Sequence, residues 1–306
     1  MKKVGIETVD CIFCHSNDVN IVITENAWQG KQCTFCSLIY ISPRPSESEI
    51  LDLYGHNSAH ISAQTHIAGE YYSRLHARYT LDHIKKYKQD GELLEIGSGA
   101  GFLLDEARKK GFSPFAIELN PIQAQFIQTF LHIPCEQKIL SENSFDSQLF
   151  DIIYHCDVIS HFHNPINAFL TMYKKLNSGG FLIFETGNIA DMDKKFYSAF
   201  PCFQYPDHLF FFGENTLATL LEKTGFQLVK IYRYNIMLHL FIQRLRNWQK
   251  NRGIQFQGAK ETHTSDIGVI KKLYQHLLFM LRYKIGAYLP KKQRPLSLII
   301  VAKKLS

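Results

Sequence analysis

Apolar residues fall into short continuous runs, each followed by a segment where they recur every three to four positions. This is the pattern of buried strands alternating with helices. Runs at 93–96, 115–117, 150–159 and 181–184 are followed by helical patterns over 102–110, 121–131 and 165–176. A weak strand is predicted near 135–139, a helix over 214–224 capped by Gly225, and strands over 226–232 and 296–302. Pro121 and Pro165 sit where a first helical turn accepts proline. Upstream, Ser46-x-x-Glu49 is a capping box opening a helix over 50–54. Residues 55–68 are polar and read as a loop, and a helix over 69–88 turns Tyr71, Tyr72, Leu75, Tyr79, Leu81 and Ile84 inward. The alternation predicts an α/β fold with a parallel sheet covered by helices on both faces.

The strand at 93–96 breaks into Glu95-Ile96-Gly97-Ser98-Gly99-Ala100-Gly101 and then a helix. Alternating glycines permit a tight strand-to-helix turn and let a ligand approach the helix N-terminus. The spacing is neither G-x-G-x-x-G nor a phosphate loop ending in Gly-Lys-Ser/Thr. Glu118 closes the next strand, 19 residues beyond Gly99, where an acid can accept from both hydroxyls of a ribose. Glu95 is unsuited to pyrophosphate but suits a ligand carrying an amino group and positive sulfur. Ligands of open α/β sheets bind at the carboxyl ends of strands, which places Glu95, Gly97, Ser98, Gly99, Gly101, Glu118, Gln137, His155, Cys156 and Asp157 around one cleft.

Four of the seven cysteines lie in the first 36 residues, as Cys11-x2-Cys14 and Cys33-x2-Cys36. That spacing predicts a four-thiolate zinc site that closes a hairpin, with Ile21–Thr24 as one strand. Four thiolates leave no open coordination position, so the predicted zinc is structural. Neither a leader peptide nor an apolar span long enough for a membrane helix is read, and the reading is cytoplasmic.

Charge is divided along the chain. Residues 230–306 hold 16 Lys/Arg against Glu261 and Asp266, whereas residues 1–229 hold 18 against 26 acids. The basic part interleaves Met237, Leu238, Leu240, Phe241, Leu245 and Trp248 with Arg244, Arg246, Lys250 and Arg252, and a second such pattern runs over 267–289. Basic amphipathic helices of this kind fit an anionic membrane surface, giving a peripheral location, and fit equally an ordinary cover for the sheet edge. The polar stretch 252–265 between them reads as a mobile loop.

Three stretches resemble known proteins. Glu95–Gly101 resembles the first motif of class I S-adenosylmethionine (SAM)-dependent methyltransferases, and "FDIIYHCDVISHFHNP" with "KKLNSGGFLIFETGN" is similar to their fourth and fifth strands. "PDHLFFFGENTLATLLEKTGF" resembles a run in zinc-bearing members that include C-methyltransferases of nucleotide-linked deoxysugars. The resemblance implies a Rossmann-like seven-stranded sheet whose last strand is antiparallel, SAM as cofactor, and a zinc ribbon at the N-terminus. It implies boundaries at 1–45 (zinc ribbon), 46–235 (SAM-binding core), 236–294 (basic helical insert) and 295–306 (last strand). It further implies that Tyr205 and His208 handle a proton, with Asp207 in place of the family's glutamate; His161 reads as a hydrogen-bonded structural residue.

The expected reaction is methyl transfer to a small-molecule or glycan-precursor acceptor, with a nucleotide- or lipid-linked sugar favoured. His208 is the expected base and Tyr205 the expected acceptor-orienting group, on an aromatic loop over 191–213 that would fold across the cleft. An RNA methyltransferase gripping phosphates with its zinc ribbon and basic segment is the disfavoured alternative within enzymes. A non-catalytic zinc-dependent interaction module is the alternative outside them. Oligomeric state is left open.

Overall fold

The computed structural model describes residues 5–54, 57–251 and 264–305, with side chains described except over 51–62 and 246–267. The short strand β1 (Ile6–Glu7) opens the chain, followed by the hairpin β2 (Val19–Glu25) and β3 (Trp28–Cys33), then β4 (Ile39–Ile41) and β5 (Arg44–Pro45), which pairs back onto β1. Helices α1 (Glu47–Tyr54), α2 (Asn57–Ala68) and α3 (Glu70–Ile84) lead into β6 (Gly91–Ile96), α4 (Phe102–Lys109), β7 (Phe112–Ile117), α5 (Pro121–Thr129) and β8 (Cys135–Glu136). After β9 (Phe150–Cys156), α6 (Pro165–Lys175) and β10 (Leu176–Gly187), a long irregular segment reaches β11 (Phe210–Phe211) and α7 (Glu214–Lys223). Strand β12 (Phe226–Asn235), helices α8 (Met237–Asn251) and α9 (Thr264–Phe279), a π-helical turn at Met280–Ile285 and β13 (Leu296–Lys304) complete the chain.

The main sheet has seven strands in the order β12-β13-β10-β9-β6-β7-β8, with β13 antiparallel to both neighbours and the pairs from β10 to β8 parallel. Its central strands are buried on both faces because alternate side chains enter two different cores. Leu94, Ile153, Leu182 and Ile300 pack on one side; Leu93, Ile152, Ile183 and Ile299 pack on the other. This is the predicted Rossmann-like sheet, last strand included.

Two segments differ from expectation. Residues 57–68 form α2 rather than a loop. Their Ala, Gln, His and Thr residues make no one-sided apolar stripe, so periodicity carried no signal. The helix is fixed by tertiary contact with α5, where the Gln123 side-chain amide donates to His66 Nδ1 at 3.2 Å. The hairpin module, bounded at residue 45 in the sequence, also takes in residues 210–211, which form the outer strand of its sheet β11-β4-β3-β2. The loop expected over 252–265 lies largely outside the described residues.

His155, expected at the cofactor, is instead a core residue of β9. It is fully buried, stacks on Phe184 with ring centroids 4.9 Å apart, and meets Phe162 and Phe169 edge-on; neither ring nitrogen has a partner among the described residues. Residues of a strand alternate in direction, and at 155 the side chain enters the apolar layer. Burial pushes its pKa from 6.5 down to about 3. A depressed histidine leaves stability intact above pH 6.5 and erodes it as pH falls towards the folded value. From these two values, about 2 kcal/mol is lost by pH 5. His155→Phe is therefore expected to lose about 2 kcal/mol less than the parent between pH 7 and pH 5, measured by urea unfolding at both.

Candidate active site

The glycine loop after β6 holds three left-handed residues, with φ of 65° at Gly97, 54° at Gly99 and 71° at Gly101. A Cβ on Gly97 would come within 2.6 Å of Val158 Cγ2, and one on Gly101 within 2.8 Å of Ile127 Cγ1. At Gly99 the only heavy atom within 4 Å of such a Cβ is Gln123 Nε2 at 3.8 Å, so that glycine leaves space rather than filling a contact. The Glu118 carboxylate is gripped from its own side of the cleft: Gly99 N–H donates to Oε2 at 2.7 Å and Asn120 N–H to Oε1 at 2.8 Å. Burial raises the Glu118 pKa, and these amides oppose the rise. Glu95 is buried beside the loop, with Oε2 lacking a hydrogen-bond partner among the described residues. Desolvation, and then the charges of Glu118 and Glu185, hold its pKa well above the usual carboxylate range. An unpaired, buried carboxylate oxygen is complementary to a ligand cation.

Glu95, Gly97, Ser98, Gly99, Glu118, Cys156 and Asp157 line one cavity of about 1080 Å³. That exceeds the roughly 300–1,000 Å³ usual for a single small-molecule site. Three expected cofactor residues do not line it. His155 is in the core, Gly101 is packed against Ile127 and Leu131, and Gln137 falls outside the lining, where Lys138, Ile139 and Leu140 take its place because β8 ends at Glu136.

The opposite wall comes from the segment between β10 and β11. His208 and His161 both line the cavity, their rings 4.5 Å apart at 77°. Asp207 Oδ1 lies 3.2 Å from His161 Nδ1, so His161 is hydrogen-bonded, as expected, and it also lines the cavity. Burial lowers the His208 pKa to about 4, with a smaller push from His161 against pulls from Asp207 and Glu25. His208 is thus an uncharged imidazole near neutral pH.

Tyr205 is corrected in the other direction. It is buried, absent from the cavity lining, and turned into the hairpin module, where its hydroxyl occupies the space that a side chain on Gly30 would need. The turn of that hairpin holds the segment by its backbone: Glu25 accepts from Phe203 N–H at 2.7 Å and Tyr205 N–H at 2.9 Å, and Asn26 donates to the Tyr205 carbonyl at 2.9 Å. A phenol packed on a neighbouring sheet cannot orient a ligand in the cleft.

The hairpin module also brings its four cysteines together. Cys11 and Cys36 Sγ lie 3.3 Å apart, Cys14 and Cys33 Sγ 3.5 Å apart, and all four sulfurs are within 4.8 Å of one another. A tetrahedron with metal–sulfur bonds of about 2.3 Å has edges of about 3.8 Å, so the donor set fits a four-coordinate metal such as zinc.

Several lining residues carried no sequence signal. Tyr72 and His76 come from α3, His239 from α8, and Arg282 from the π-helical turn. Behind them, the fully buried Glu185 accepts from Thr80 at 2.7 Å and Tyr154 at 2.8 Å, and also meets His76 at 2.9 Å and Tyr283 at 3.4 Å. Burial alone would raise the Glu185 pKa, but His76, Thr80 and Arg282 together pull it down to about 2. Within the insert, the π turn displaces residues after 279 from α-helical spacing, so Arg282 could not be assigned to the cavity face from periodicity.

Comparison with known proteins bears on this geometry. A family model described as a methyltransferase domain matches residues 63–231. A tRNA U34 carboxymethyltransferase of Vibrio cholerae is 27% identical over 197 residues, covering 62% of this chain and 60% of that protein. Among solved structures, a candidate sarcosine dimethylglycine methyltransferase from Galdieria sulphuraria superposes with a TM-score of 0.50 at 13% identity, covering 76% of this chain and 85% of that one. A SAM-dependent methyltransferase from Archaeoglobus fulgidus gives a TM-score of 0.48 at 18% identity, covering 75% and 93%.

The cysteine cluster yields a direct expectation. Cys33→Ser is expected to abolish stoichiometric metal in the purified protein, measured by atomic emission, and to lower the melting temperature. Because β2 and β3 hold residues 203–205, digestion within that segment is expected to accelerate as well.

Proposed function

The chain belongs to the methyltransferase-domain family and is a class I SAM-dependent methyltransferase; from that premise we propose that it methylates a small-molecule or glycan-precursor acceptor, with His208 as the base. One observation carries the reading: a neutral imidazole, seated against the Asp207–His161 pair, faces the same cavity as the glycine loop. For SAM itself, the residues fit. Glu118 would take the ribose, the loop amides and the unpaired Glu95 oxygen the amino-acid end, and Leu119, Ile139 and Val158 the apolar base. When bound, SAM supplies a methyl group on a positive sulfur, already a strong electrophile.

The protein's own contribution is then positioning and proton removal. The acceptor must be held in line within about 3–3.5 Å of the methyl carbon, with water excluded. His208 takes the acceptor's proton as the new bond forms; such a base contributes ~10²–10⁴-fold. Asp207 holds the His161 ring, and His161 in turn limits the orientations open to His208. We further read the four cysteines as a structural zinc site, since no fifth position remains for a substrate.

For the source of the acceptor, the insert favours a lipid-linked molecule. Val269, Ile270, Leu273 and Leu277 form one outward apolar stripe on α9, each at least 47% exposed, beside the exposed Lys271 and Lys272. Among the described residues no helix is long and apolar enough to cross a membrane, so contact would be with the surface. RNA is the second reading, supported by the resemblance to the tRNA-modifying relative; the chain spans only 60% of that relative's length.

Glu118→Ala is expected to weaken binding of S-adenosylhomocysteine at least tenfold by calorimetry, whereas His208→Ala should leave that binding unchanged and cut turnover at least tenfold. Unchanged turnover in a folded His208→Ala enzyme would remove the base assignment. Flotation with phosphatidylglycerol vesicles at 150 mM salt supports the lipid-linked reading; salt-sensitive retention of tRNA without flotation supports the RNA one.

A further inference from the structure

The insert end of the cavity holds a group that neither the methyl-transfer reading nor the glycine loop uses. Arg282 sits in the π-helical turn after α9 and lines the cavity together with Tyr72, His76, His239 and Ser297. Its Nη2 donates to Ser297 Oγ at 2.8 Å, while Nε is buried and has no partner among the described residues. The Tyr72 hydroxyl, in the same wall, is buried beside the guanidinium: burial raises its pKa, and the Arg282 charge and hydrogen bonding oppose the rise. No carboxylate of the described residues lies within ion-pair distance of Arg282. Asp157 and Glu185 are near enough to favour its charge against the cost of burial, but Glu185 already accepts from Thr80 and Tyr154 and contacts His76 and Tyr283.

The guanidinium is a buried cation with no carboxylate paired to it: Arg282 Nε is an unused donor, and the adjacent Tyr72 hydroxyl can donate to a ligand the two share. A buried donor without a partner is costly, and a guanidinium fork with a neighbouring hydroxyl matches the oxygens of a carboxylate or phosphate. A buried guanidinium without a paired carboxylate is met better by an anionic oxygen than by water.

We propose that Arg282 and Tyr72 form an anion clasp that binds a carboxylate or phosphate group of a ligand in the cavity. The proposal rests on the methyltransferase reading for the identity of that ligand, since two sources supply such a group: the amino-acid carboxylate of the cofactor, or an anionic group on the acceptor. In either case the insert, which enters the sheet between β12 and β13, supplies a binding residue to the cleft and is more than a cover for its edge.

The test titrates the full-length protein by calorimetry with S-adenosylhomocysteine, with 5′-methylthioadenosine, which lacks the amino-acid portion, and with inorganic phosphate in the presence and absence of S-adenosylhomocysteine. Arg282→Gln is expected to weaken one anion at least tenfold while leaving 5′-methylthioadenosine unchanged, and Arg282→Lys to recover part of the loss. Loss confined to S-adenosylhomocysteine identifies the cofactor's carboxylate; loss confined to phosphate identifies an acceptor group. Wild-type affinity of folded Arg282→Gln for both anions overturns the clasp. If Arg282→Gln fails to fold, Tyr72→Phe, which removes one oxygen, serves as the reporter: a roughly threefold loss for either anion upholds the clasp, and none for both overturns it. Failure of the parent protein to bind either nucleoside would instead overturn the methyltransferase reading, and Arg282-dependent phosphate binding would still stand.

Discussion

A single buried carboxylate, Glu185, ties together the elements that make the cavity. It lies on β10 at the heart of the sheet and accepts from Thr80 on α3 and Tyr154 on the neighbouring strand; His76 on α3 and Tyr283 of the insert complete its shell. Burying an ionised carboxylate costs several kcal/mol unless its lone pairs are satisfied, and here four groups from three directions meet that demand. The constraint therefore runs outward. Helix α3 must dock against β10, and the insert must fold back over the strand ends, or the charge is left stranded. Tyr72 and His76 on α3 and Arg282 in the insert are cavity residues because Glu185 recruits their elements.

The second constraint comes from the hairpin module, which works as scaffolding for the wall across the cleft. β11 pairs with β4, with Phe210 opposite Tyr40 and Phe211 opposite Ile39. Three residues earlier in the chain His208 enters the cavity, and three before that Tyr205 is pinned to the module by Glu25 and Asn26. A loop bearing a base needs a fixed backbone, because the reach of a hydrogen bond tolerates errors of well under an ångström. The four-cysteine cluster lies close by, and a metal held there would supply that rigidity: Cys33 ends β3, the strand that pairs with both β2 and β4. The module is thus positioned to affect acceptor handling while lying outside the chemistry.

The glycine loop, Glu118, the cysteine spacing and the strand alternation were legible in the sequence because each depends on local backbone geometry or on a fixed residue separation. Left-handed residues at 97, 99 and 101 and an acid at the end of the next strand are properties of a short segment. What could not be read depends on which way a side chain turns after folding. Tyr205 and His208 are three residues apart on one irregular segment, yet one faces the module and the other the cavity. His155 and Cys156 are adjacent on β9 and enter the core and the cleft respectively, by the alternation of a strand whose phase the sequence did not fix. Helix α2 is held by contacts with α5 that no periodicity announces, and the π turn shifts Arg282 away from its α-helical position.

The surroundings of His208 bear on the base role proposed for it. His208 is not among the cavity-lining residues whose buried polar atoms lack a hydrogen-bond partner among the described residues. Were His208 close to an unpaired carboxylate, its imidazolium would be stabilised and the lone pair needed for proton removal would be lost. Asp207 has that effect in part, but it is placed on His161 at 3.2 Å, and its pull on His208 is smaller than the opposing effect of burial. Burial then keeps His208 neutral, with its pKa near 4, without any positive group having to touch it. In the proposed role a base so strongly depressed would be intrinsically weak, and an already activated electrophile would compensate: the proton would need to leave only as the new bond forms, so orientation would contribute more than basicity.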